Sequence, residues 1–117
     1  MRYMMMIYGD ESKMTRQPAE GVTKMSAAYV AYTKALTEAG VWLGGDALQP
    51  TPTATSVRLA DGKTSVLDGP FAETREQLGG YYLIDVADLD AGIAWAARCP
   101  GAANGTVELR PLWEMTS

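Results

Sequence analysis

Apolar positions along the chain follow two rhythms, one of period two and one of period three to four. In Arg2 to Tyr8 (RYMMMIY), Tyr3, Met5 and Ile7 point one way and Met4, Met6 and Tyr8 the other, so both faces are apolar. A strand of that kind needs cover on both sides. Gly9 to Gly21 is polar, contains Pro18, and reads as a loop leading into a helix. Val22, Met25, Tyr29, Tyr32, Leu36 and Ala39 then recur in steps of three and four, one face of a long amphipathic helix that Gly40 ends.

The period returns to two at Val41 to Leu48 (VWLGGDAL), a strand whose Gly44-Gly45 pair marks a bulge or a close backbone approach, and which Pro50 and Pro52 end. Ala54 to Leu59 and Thr64 to Leu67 flank Asp61-Gly62, a strong hairpin signal because both residues tolerate the positive φ such turns need. The stretch DGPFAETREQLGG reads as a loop with one helical turn, the spacing of Thr74 and Gln77 being that of a capping box. Tyr81 to Val86 is the next strand. Asp88 caps a helix with Asp90 in its first turn and Arg98 and Pro100 at its end, and Leu89, Ile93 and Ala97 share one of its faces. Thr106 to Glu114 closes the chain as a strand, with Val107, Leu109 and Trp113 on one face and Glu108, Arg110 and Leu112 on the other.

The order β, α, β, hairpin, β, α, β reduces to βαββαβ when the hairpin is set aside. This is an α+β fold, the ferredoxin-like plait, in which two helices cover one face of an antiparallel sheet. With a first strand apolar on both sides, the expected cover for the other face is the sheet of a second subunit, making a homodimer.

Composition narrows the function. With 117 residues, 47% of them hydrophobic, residues 1–117 are read as a single domain. The net charge of -4 and the absence of any basic run argue against nucleic-acid and anionic-membrane partners. Cys99 is alone and so forms no internal disulfide, and the N-terminus lacks a signal-peptide pattern, which makes the cytoplasm the expected compartment. There is no histidine, which excludes Ser-His-Asp and Cys-His triads, imidazole acid-base catalysis and His-rich metal sites. No GxGxxG or Walker-type loop occurs. No cofactor or metal is expected.

What remains is carboxylates, tyrosines and one arginine. In Asp68-Gly69-Pro70-Phe71, a turn reading is complete: Asp bonds the downstream backbone, Gly takes an unusual φ, Pro fixes the next φ, and Phe71 anchors the loop. The catalytic reading makes Asp68 a general base or a ligand-orienting carboxylate at a strand end. Asp10 and Glu11 follow the first strand, either in a solvated loop or with Asp10 near Asp68, where two carboxylates would raise one another's proton affinity. Arg110, on the face away from the helices, either pairs with an acid such as Glu108 or binds a ligand carboxylate or phosphate. Tyr8 and Tyr81 are core residues or line the same cavity. Cys99, at a helix C-terminus, is read as structural.

YMMMIYGDE, GGDALQPT, DGPFAETREQLGGYYLIDV and VELRPLWEM together resemble the YCII-related family in its DGPF branch, over nearly the whole chain. The resemblance implies a dimeric α+β barrel, plait against plait. It also implies an association with extracytoplasmic-function sigma factors, and a superfamily that includes cofactor-free monooxygenases, isomerases and lyases as well as ligand sensors. The His-Asp pair of other YCII proteins cannot be carried over, since no histidine is present. Two functions follow: a small-molecule-binding dimer doing cofactor-free acid-base chemistry with carboxylates, or a non-catalytic sensing module tied to sigma-factor regulation.

Overall fold

The structure, a computed structural model, describes residues 1–14 and 19–114, with the side chains of residues 1–13 and 25–114. Strand β1 (Arg2–Gly9) lies inside the sheet, with a neighbouring strand on each side. It is followed by a short helix α1 (Glu11–Met14), the long helix α2 (Ala19–Glu38) and strand β2 (Trp42–Ala47). A single 3₁₀ turn at Thr51–Thr53 leads into the hairpin β3 (Thr55–Ala60) and β4 (Lys63–Asp68), after which come β5 (Gln77–Asp85), α3 (Leu89–Arg98) and β6 (Thr106–Pro111). Four strands form one antiparallel sheet in the order β2-β5-β1-β6, while β3 and β4 pair only with each other. Without the hairpin this is the ferredoxin-like plait.

The core lies between one sheet face and the helices. Tyr3 and Met5 of β1, Tyr82 and Ile84 of β5 and the following Val86 pack against Tyr32 and Leu36 of α2 and Ala96 of α3, with Cys99 just beyond that helix. Met5, Leu36 and Ile84 are fully buried, each contributing ~1.5–3 kcal/mol from apolar area removed from water. The Tyr32 hydroxyl donates to the Trp95 carbonyl at 2.6 Å, so the one polar atom this ring carries inward is satisfied. Burial raises the Cys99 thiol above its ordinary range, which suits a packed residue better than a nucleophile.

The Asp61-Gly62 turn forms with both residues at positive φ, as their types allow. The Gly44-Gly45 irregularity is a bulge: the β2–β5 register slips between Trp42 and Gly44, leaving Leu43 as the extra residue. Asp88 caps α3 by accepting from the Ala91 amide at 2.9 Å.

Several expectations are corrected. Part of the predicted Gly9–Gly21 loop is helix α1, while residues 15–18, including Pro18, lie outside the described residues, as does the Val22 side chain of the predicted helix face. The face of α3 that meets the sheet is Gly92 and Ala96; Leu89 and Ile93 are exposed. Small residues win there because a Cβ on Gly92 would already touch Leu109, Val86 and Tyr3. No helical turn forms after Phe71: the Gln77 side-chain amide donates to the Thr74 carbonyl, and β5 begins at Gln77 rather than at Tyr81. Strand β6 ends at Pro111, and Trp113 lies past it, exposed.

The helices leave the opposite sheet face open, and the hairpin projects from the body. The Cα radius of gyration is 16.3 Å, against the ~13 Å expected for a compact domain of this length. No helix among the described residues is long and apolar enough to cross a membrane.

Candidate functional site

Strand register fixes which side chains share the open face. Met4 stands opposite Leu83 on one side and Arg110 on the other, and Leu83 stands opposite Gly44. The next row on the same face runs Asp46, Tyr81, Met6, Glu108. Tyr8 with Thr106 lies beyond that. The result is an apolar floor of Met4, Met6 and Leu83 with a polar pair at each edge, the edge strands being ~14 Å apart across three strand spacings.

At the β2 edge the Tyr81 hydroxyl donates to Asp46 Oδ2 at 3.0 Å. The acceptor bond and the negative charge of Asp46 both push the Tyr81 phenol above its ordinary value, so it stays protonated. This pair depends on glycine. A Cβ on Gly45 would lie 2.6 Å from the Tyr81 carbonyl oxygen and 2.8 Å from the Tyr82 ring, so only glycine lets β2 lie this close to β5. At the β6 edge, Arg110 Nη2 bonds Glu108 Oε2 at 2.6 Å. Arg110 is 71% exposed, so the pair adds little stability and leaves the other guanidinium nitrogens turned to solvent.

Tyr8, Tyr81 and Arg110 are thus brought to one face. Tyr8 is half-buried, its hydroxyl 3.8 Å from Met6 Sδ. Asp10 and Asp68 stand elsewhere. Asp10 caps α1, accepting from the Ser12 amide at 3.0 Å and the Ser12 hydroxyl at 2.6 Å. The Ser12 bond is the main reason its carboxyl lies below the usual range, the opposite of what a neighbouring carboxylate would do. Asp68 ends β4, exposed and with no hydrogen bond or ion pair from its carboxylate among the described residues. The turn after it is held by the backbone instead: Gly69, at φ 121, donates to the Ala54 carbonyl at 2.7 Å and accepts from the Ser56 hydroxyl at 2.8 Å. Phe71 anchors nothing; it is 79% exposed, with the Arg58 guanidinium 5.6 Å from its ring centre.

Asp46, which the sequence pattern did not single out, and Glu11, which it placed beside Asp10 after the first strand, both matter here. Asp46 is the partner of Tyr81, and the only signal for it was its place two residues after Gly44 on an alternating strand. Glu11 clamps the Thr51 turn, accepting from the Thr51 amide at 2.8 Å and its hydroxyl at 2.7 Å, while its own amide donates to Gln77 at 2.9 Å. This clamp floors a shallow cleft of about 340 Å³ between the Thr51-Pro52 turn and Pro70, Ala72 and Thr74. Thr51, Thr74 and Gln77 are engaged in local hydrogen bonds, and Glu73 also lines the cleft. Among the described residues, no three His, Cys, Asp or Glu side chains converge as metal ligands.

The chain is 39% identical over 114 residues to an uncharacterized protein of Rhizobium meliloti (strain 1021), an alignment covering 96% of this chain and 92% of that protein. The model of the YCII-related domain matches residues 1–116. With a plait fold and a family match over nearly its full length, the chain belongs to the YCII-related family.

Proposed function

We propose that the protein is a homodimer that binds a small, partly apolar molecule on the open face of its sheet and performs proton-transfer chemistry there with carboxylate and phenol groups. The observation that carries this reading is the two-row grid on that face: an apolar floor flanked by Asp46-Tyr81 and by Glu108-Arg110. Apolar floors bind by area, and a few convergent polar groups fix orientation.

The roles follow from the groups. Arg110 is the cation of these two rows, Arg2 in the next row being paired with Glu114, and it suits a ligand carboxylate or phosphate. Tyr81, held protonated, is a hydrogen-bond donor to a ligand oxygen. When a ligand oxygen takes that bond, Asp46 is released as a proton acceptor beside the donor. A donor and an acceptor 3.0 Å apart are what a proton abstraction next to a carbonyl requires. No imidazole is needed.

Native mass spectrometry of the untreated protein tests this. The expected result is a dimer carrying a small co-purified mass that is lost from Arg110→Ala and from Tyr81→Phe. Retention of that mass by both variants would refute the placement of the site on this face.

A further inference from the structure

The hairpin and the open sheet face share one property: each presents an apolar surface that its own chain leaves uncovered. Residues paired across an antiparallel ladder share a face, so Val57, Leu59, Val66 and Asp68 lie in one row on the hairpin, with Thr55 and Thr64 beside them. Val57, Leu59 and Val66 are 66%, 71% and 61% exposed. A two-stranded hairpin in water is marginally stable by itself, so such a row needs a cover. The chain's own sheet face is not that cover, since Val57, Leu59 and Val66 stay exposed.

We infer that in the homodimer the β3–β4 hairpin of each protomer is an arm laid across the partner's open sheet face, bringing Asp68 to the ligand site of the other subunit. This rests on the homodimer proposed above and adds that each site is incomplete without the partner. Area argues for the arm. Four strands ~4.8 Å apart and about six residues long at ~3.3 Å each present roughly 400 Å² in projection, and a hairpin face of two such strands adds roughly 200 Å², enlarging the contact by about half.

Charge favours the same occupant. The hairpin row ends in Asp68, whose carboxylate has no partner among the described residues, and the open sheet face carries Arg110 with nitrogens turned to solvent. Asp46 and Glu108 on the same face are already paired with Tyr81 and Arg110, which leaves the outer Arg110 nitrogens as the groups that meet Asp68. A two-fold axis makes both arms cross at once, so each contact counts twice.

The test uses two differently tagged copies of the full chain, mixed and re-equilibrated. One copy carries Leu59→Cys or Asp68→Cys and the other Leu83→Cys or Arg110→Cys; both are treated with a short bis-maleimide. Native Cys99 is 2% exposed and stays unreactive. The expected result is a cross-link between the two tags for these pairs and none to Ile93→Cys. In parallel, Val57→Glu with Leu59→Glu is expected to weaken dimerisation at least tenfold with an unchanged circular-dichroism spectrum. A wild-type dimer that neither cross-links through the hairpin nor weakens in the double variant, or one that cross-links to Ile93→Cys instead, overturns the arm and leaves the homodimer standing. A wild-type monomer at micromolar concentration overturns both.

Discussion

Leu83 sits in the middle of the open face, between Gly44 on one side and Met4 on the other, and is half-buried already by its neighbours. Leu83→Asp separates a solvated face from a covered one. On a solvated face, the change costs at most ~1 kcal/mol, the span of strand propensities at a surface position. On a covered face, two further terms appear in each subunit. Losing the remaining burial of a leucine is worth ~1 kcal/mol, and enclosing a carboxylate without a partner costs several kcal/mol more. Aspartate is too short to reach Arg110 two strands away, ~10 Å at ordinary strand spacing. Two-fold symmetry doubles the sum, so more than ~4 kcal/mol falls on association, a dissociation constant raised by at least ~1,000-fold. Sedimentation equilibrium over a range of concentrations reads this directly. Val30→Asp, on the exposed side of α2 and 71% exposed, serves as the control and leaves the constant unchanged. A Leu83→Asp protein that dimerises like the wild type would falsify cover of this face by a second subunit.

Gly45→Ala forces β2 off β5, because the new Cβ meets backbone rather than a yielding side chain; a loss of ~1–3 kcal/mol in urea unfolding is expected, and an unchanged midpoint would refute the close approach. Glu11→Ala strands the Thr51 amide and hydroxyl, costing ~1–3 kcal/mol, with faster hydrogen exchange confined to residues 50–54; slow exchange there would show that the clamp holds nothing. Tyr29 and Tyr32 are held above their ordinary value of 10.0 chiefly by burial, so the native state keeps protons that the unfolded chain releases. Stability is therefore full below pH 10.0 and falls as pH rises beyond it, and Tyr32→Phe flattens the alkaline limb of a thermal-melt series. Asp46→Asn removes the charge that raises Tyr81 and leaves only a neutral amide acceptor, so the phenol titrates at lower pH in a 295 nm difference titration against Tyr81→Phe; no movement would mean the pair is not formed in solution.

The fold was readable where one rhythm dominated a segment. The two apolar faces of β1, the three-four stripe of α2 and the Asp61-Gly62 turn each admit one local structure, and all three form as their patterns say. Helix α3 shows the limit. Leu89 and Ile93 are the obvious apolar pair, yet the helix turns Gly92 and Ala96 to the sheet because Tyr3, Val86 and Leu109 leave room only for small residues. Periodicity measures hydrophobicity, and here the deciding quantity was volume set by residues far away in sequence. The same holds for the segment after Phe71, where Thr74 and Gln77 have the spacing of a helix start. The Gln77 side chain is engaged both by the Glu11 amide and by the Thr74 carbonyl, and those bonds draw the segment into β5.

For the site, residue type was legible and grouping was not. Without histidine, carboxylates and phenols were the remaining acid-base groups, and Tyr8, Tyr81 and Arg110 do share a face. Asp46 escaped notice because its meaning depends on register: it matters only because the Leu43 bulge turns the strand so that Asp46 stands opposite Tyr81. Shift that register by one and Asp46 would face the helices, where an unpaired carboxylate costs several kcal/mol, so the bulge and the two glycines are as much a part of the site as the groups that meet a ligand. Asp68 has the opposite relation to its chain. It terminates a hairpin in which its carboxylate has no hydrogen-bond partner among the described residues, in a turn the backbone already holds, so the turn does not need a carboxylate there. An aspartate that its own fold does not use, on the same face as three exposed aliphatic side chains, has a role only where a second surface meets that face.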